Sequence, residues 1–156
     1  MTPDRLAEVL PELFPNTDGI LIHEAALVAF MLDGNFFPCA FDVLGRPRLL
    51  DAVSSGDDFE RRLIGDDYAY VLRGDGAPVR VWETFSGGLS AGDVTYHRNG
   101  IVGWDVLDSE EVLETLPNMP EARLLLEERA RLALVLHYED MADDELLEFR
   151  KYVRFI

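Results

Sequence analysis

The chain has 156 residues, 48% of them hydrophobic and 28% charged, which supplies one self-sufficient core and excludes a disordered chain. Fourteen basic residues against thirty acids leave a formal net charge of −16, which excludes nucleic acid and anionic membranes as direct ligands, because phosphate is held by Lys and Arg. A single cysteine, Cys39, excludes an internal disulfide framework and a cysteine-rich zinc site; within "FFPCAF" it reads as a small buried hydrophobe.

In chain order, Thr2 followed by Pro3 is an N-cap with proline at the first helical position. Leu6, Val9 and Leu10 then share one face, and Pro11 and Pro15 are expected to break the run. No basic and apolar leader opens the chain, so the expected compartment is the cytoplasm. The long apolar region from Ile20 to Leu44 is interrupted by His23, Glu24, Asp33 and Asp42, which argues against a membrane span. It reads instead as a β-hairpin, "ALVAFML" and "NFFPCAFDV" around Asp33-Gly34, with Pro38 at an edge or bulge. His23 reads as a partly buried strand residue.

"LGRPRLL" reads as a connector and "SGDDFERRLIG" as a short helix ending at Gly65. A second hairpin joins "YAYVLR" to "VRVWETF" through "GDGAP", with Tyr68, Tyr70 and Leu72 across from Val79, Val81 and Phe85. A third joins "DVTYHR" to "IVGWDVL" around Asn99-Gly100, a pair suited to a type I′ turn. Asp108 then caps "DSEEVLETL", with Glu111 completing a capping box, and Asn118 with Glu121 repeats the signature. The remaining tail reads as helix, although "KYVRFI" also alternates like a terminal strand. The expected fold is one α+β domain over 1–156: an antiparallel β-sheet built from hairpins, an N-terminal helix, and C-terminal helices packed on one face.

No catalytic motif stands out. "SGGLSAGD", Ser86 to Asp93, is glycine-rich but leads into a strand and has no lysine, so it is not a phosphate cradle. No serine lies in a nucleophile elbow, and thirty acids make any carboxylate pair possible and none informative. The strongest local signal is "LHYEDMADDELLEF", Leu136 to Phe149, with six carboxylates. His137, Asp140 and Asp144 have helical ligand spacing but match neither a zincin motif nor a calcium loop. The cheaper account ends one helix and starts another, with Asp140 as N-cap and the acids near the positive end of the helix dipole. No metal and no cofactor are expected.

Capping uses one or two acids, and this region carries more. A small, acidic, cysteine-poor α+β domain without catalytic motifs is similar in type to many bacterial immunity proteins that neutralise toxins, a likeness of character and not of sequence. It implies an inhibitory domain that masks a basic protein partner, with Asp108, Glu110, Glu111, Glu114, Glu139, Asp140, Asp143, Asp144, Glu145 and Glu148 as the contact acids. The competing expectation is an enzyme or small-molecule binder with a pocket between sheet and helices, tested first at Tyr68, Tyr96, His97 and Trp104. A third reading is a DNA mimic, which needs an elongated acidic stripe.

Overall fold

The computed structural model of the chain describes residues 1–30 and 37–115. Helix α1 (Pro3–Leu13) starts as its sequence dictates: the Thr2 hydroxyl accepts the Arg5 amide at 3.2 Å and Pro3 stands in the first turn. Leu6 and Leu10, four apart, are fully buried. Pro11 does not end the helix; it sits in the last turn, and only at Phe14 does the backbone become extended, its amide donating to Leu10 O. One missing N–H this close to the end costs one bond, not the turn.

The remaining elements follow as β1 (Gly19–Leu21), α2 (His23–Phe30), β2 (Phe41–Gly45), α3 (Pro47–Ser54), β3 (Phe59–Ile64), β4 (Asp67–Leu72), β5 (Val79–Trp82), β6 (Tyr96–Asn99), β7 (Trp104–Leu107) and α4 (Ser109–Thr115). The seven strands form one sheet in the order β3-β4-β5-β2-β1-β7-β6, and the fold is α+β. The sheet is mixed: β2 pairs with β5 and β1 with β7 in parallel, and the other four pairings are antiparallel. An all-antiparallel sheet is therefore corrected. Parallel pairs need cover on both faces. The central strands have it, for Leu21, Val43 and Val106 on one face and Ile20, Leu44 and Trp82 on the other are all buried.

The first expected hairpin is also corrected. "ALVAF" belongs to α2, where Ala25, Ala26, Leu27 and Val28 are all buried. A short apolar run has no period that separates a buried helix from a buried strand, and packing against α1, α4, β2 and β7 decides for the helix. The Asp33-Gly34 turn lies outside the described residues. Only β1 and β2 at its flanks are strands, antiparallel but joined through α2.

The next two readings exchange places. The supposed connector carries α3, with Pro47 in the first turn and Leu49 and Val53 buried. The supposed helix "FERRLI" is strand β3, paired residue for residue with β4 from Phe59↔Leu72 to Ile64↔Asp67. Its Glu60, Arg61 and Arg62 suit a sheet edge, where charge discourages pairing with another chain. Gly65, with φ of +66°, turns the chain between the two.

Hairpins β4–β5 and β6–β7 form as expected, although Tyr70 faces Val81 while Phe85 lies beyond the strand. The β6–β7 turn is not the two-residue turn of Asn99-Gly100. Asn99 pairs with Trp104, its side-chain carbonyl accepts the amides of Ile101 and Val102, and the left-handed position is Gly103 with φ of +76°. An Asn that caps its own loop makes the tight turn unnecessary. The glycine-rich segment is not a hairpin connection either: it runs from β5 to β6 across the positions of β2, β1 and β7. Cys39 is exposed, contrary to its apolar neighbours.

One close approach fixes α3. Gly19 and Gly45 are paired, and a Cβ on Gly45 would stand 2.8 Å from Leu50 Cδ2, while one on Gly19 would meet Val43 Cγ1 and lie 3.0 Å from Leu49 Cδ2. Helix α3 therefore packs directly on two bare backbones.

Candidate functional site

Of the ten expected contact acids, Glu139, Asp140, Asp143, Asp144, Glu145 and Glu148 lie outside the described residues. Asp108 and Glu111 are occupied within the fold. Asp108 Oδ1 lies 3.2 Å from His97 Nδ1, and its amide donates to Thr95 O at 3.1 Å. Glu111 accepts the Thr95 amide at 3.2 Å, so it ties α4 to the start of β6 and does not close a capping box on Asp108. Glu110 and Glu114 are exposed on α4.

The four aromatic and histidine candidates do not converge. Tyr96, half exposed, carries the Arg46 guanidinium 4.7 Å above its ring, and Arg46 pairs with Asp105 at 2.8 Å. His97 is exposed and lies 5.5 Å from the Phe30 ring. Trp104 is buried, edge-on to Phe14. Tyr68 lies five strand positions from Tyr96, under Arg61 at 3.7 Å.

A polar cluster missed by sequence reasoning sits at the centre of the sheet. Asp42 on β2 and Arg80 on β5 are register partners, so both side chains leave the same face. Arg80 donates twice to Asp42, Nε to Oδ1 at 2.6 Å and a terminal nitrogen to Oδ2 at 2.8 Å. His23 Nδ1 lies 2.8 Å from Asp42 Oδ2. An ionised carboxylate only accepts, so Nδ1 carries the proton. His23 and Asp42 are 5% and 2% exposed. Burial alone would raise the Asp42 pKa, but the hydrogen bonds and charges of His23 and Arg80 outweigh it and hold the carboxyl below its ordinary range. His23 adopts φ of +52° as the chain leaves β1 for α2, which costs about 1–2 kcal/mol for an L-residue. Its ring packs edge-on against Trp82 and Phe85. No nucleophile stands in this set, and its contacts make it a strut between the start of α2, β2 and β5.

A second buried acid explains the glycine-rich loop. Asp67 accepts the Thr84 hydroxyl at 2.8 Å and the Gly87 amide at 2.9 Å. An amide already bonded to a carboxylate is no cradle for phosphate.

Among the described residues, a concave surface lies elsewhere, on the α1–α3 face of the sheet. A cleft of about 300 Å³ opens between the end of α1 (Pro11 to Pro15), the end of α3 (Ala52, Val53), the 56–58 loop and the Phe59↔Leu72 pair. Phe14 and Val53 are buried, Phe59 and Leu72 half-buried, and two exposed carboxylates, Glu12 and Asp58, stand in its lining. Among the described residues, neither Asp108, Glu110, Glu111 and Glu114 nor the four ring residues named from the sequence line it. Its sequence signals are two prolines closing a helix and an Asp-Asp pair before a strand, and only the fold brings them together.

Among the described residues, no group of three or more His, Cys, Asp or Glu stands close enough to hold a metal. No helix among them is long and apolar enough to cross a membrane. No family model, no curated protein and no solved structure matches the chain.

Proposed function

We propose that this chain is a cytoplasmic binding domain that masks the basic surface of a protein partner, in the manner of an immunity protein. The supporting observation is how charge is spent. Arg5, Arg46, Arg61, Arg62 and Arg80 are all engaged in ion pairs with the chain's own carboxylates. Exposed acids such as Asp4, Glu12, Asp51, Asp57, Asp58 and Asp66 have no cationic partner among the described residues. The surface is thus left strongly negative, a field that speeds encounter with a basic protein and repels acidic ones.

The test is capture on the immobilised chain from lysate of the source organism, followed by association kinetics with the purified captured protein. The expected result is a stoichiometric basic protein whose association rate falls steeply with salt. Charge reversal at Asp57 and Asp58 is expected to slow association further. An association rate indifferent to both treatments refutes the proposal, since exposed charges beyond a Debye length of about 10 Å at 0.1 M are screened.

A further inference from the structure

We infer that the α1–α3 cleft seats a single cationic side chain with an apolar stem, an arginine or lysine anchor of the basic partner. The inference rests on the binding-domain reading and narrows it to one place on the surface. Size comes first. At about 300 Å³ the cleft lies at the lower end of the range for ligand pockets, room enough for one long side chain.

Lining comes second. The lining combines the apolar Phe14, Val53, Phe59 and Leu72 with two exposed acidic residues, Glu12 and Asp58. Lys and Arg are the side chains that match both halves, since their methylene stems lie along apolar surface while the charged head reaches polar groups. An aliphatic anchor would desolvate the two carboxylates for nothing in return, and an acidic one would be repelled by them.

Availability comes third. Neither Glu12 nor Asp58 has a cation bound to its carboxylate among the described residues; Asp58 is engaged only through its backbone carbonyl, which accepts the Arg73 amide at 2.8 Å. Of the cations on the neighbouring elements, Arg5 is paired with Glu8, Arg61 with Glu83 and Arg62 with Glu60, while Arg73, next to Leu72, makes no ion pair among the described residues. The same face of the β3–β4 hairpin continues from the cleft with Phe59, Arg61 and Leu63 opposite Leu72, Tyr70 and Tyr68. Leu63 is 59% exposed and Tyr68 39%, and the Arg61 guanidinium, paired with Glu83, stands 3.7 Å over the Tyr68 ring, so the strip beside the cleft combines apolar, aromatic and ion-paired groups. A cationic anchor in a cleft flanked by exposed aromatic surface is the arrangement of an interface hot spot.

The experiment needs no identified partner. Acetyl-leucyl-arginyl-leucine amide is titrated into the ¹⁵N-labelled chain, with the same peptide carrying citrulline in place of arginine as the neutral isostere. The expected result is saturable amide shifts confined to the end of α1, the end of α3 and the start of β3, with the arginine peptide binding roughly tenfold more tightly. The Glu12→Gln/Asp58→Asn variant, whose two positions are exposed and whose own amide spectrum reports its fold, is expected to erase that difference. Three results overturn the inference: no saturable shift up to about 10 mM peptide, equal affinity for citrulline, or shifts mapping elsewhere. Failure here with successful salt-sensitive capture leaves the binding-domain reading standing on another surface. Success here with no captured protein refutes that reading and leaves a site for small organic cations.

Discussion

Replacing Asp42 with asparagine tests whether the buried cluster is a strut of the fold. The change is nearly isosteric, so it opens no cavity; what it removes is the negative charge between Arg80 and His23. Arg80 would keep its charge facing a neutral amide, and that amide can present only one acceptor oxygen where the carboxylate offers two. Removing one partner of a buried ion pair costs about 3–5 kcal/mol. The Arg80 side chain keeps 21% of its exposure and can partly turn to water, which places the expected loss near the lower end, about 3 kcal/mol. A domain holds only about 5–15 kcal/mol in total, so the midpoint of urea unfolding should fall markedly at an unchanged slope. The double variant Asp42→Asn/Arg80→Met should recover part of the loss, because it removes the stranded cation as well. A loss under about 1 kcal/mol for Asp42→Asn, the scale of an exposed pair, refutes the strut.

Two further outcomes follow from the same geometry. Asp42 and Glu83 are both held below the ordinary carboxylate range, Glu83 chiefly by the hydrogen bond from Arg61. A depressed folded pKa gives stability that is present above the unfolded value, about 4, and lost as pH falls through the folded one. Acid unfolding below about pH 4 should therefore be shallower in Asp42→Asn than in the parent, and identical slopes would contradict the assignment. At the β6–β7 turn, Gly103→Ala should cost about 1–2 kcal/mol, because φ is +76° there, whereas Gly100→Ala, with open space and no such dihedral, should change thermal stability little. A larger cost at Gly100 than at Gly103 would mean that the turn sits at Asn99-Gly100 after all.

Sequence and tertiary structure divide the determination of this protein along a physical line. Local signals were sufficient wherever a side chain acts on its own backbone. Thr2-Pro3 starts α1, "YAYVLR" and "VRVWETF" pair across a short loop, and "DVTYHR" with "IVGWDVL" forms a hairpin even though its turn residue was misplaced. The α+β class and the acidic surface follow from the same level, because they need only composition, spacing and charge.

What the chain could not declare locally depends on neighbours distant in sequence. "ALVAF" is apolar on every side, which a buried helix and a buried strand share, and its surroundings chose. "FERRLI" became a strand because β4 offered it a ladder. Asp42 and Arg80 are single charges in apolar strands, and no local pattern pairs them, since 38 positions separate the two and their strands are parallel. The cleft is the extreme case: Glu12 and Asp58 became its carboxylates only when α1, α3 and the β3–β4 hairpin met. Pairing energies between strands and the packing of helices on them are properties of the whole chain, so register, parallel or antiparallel sense, and concavity were decided there.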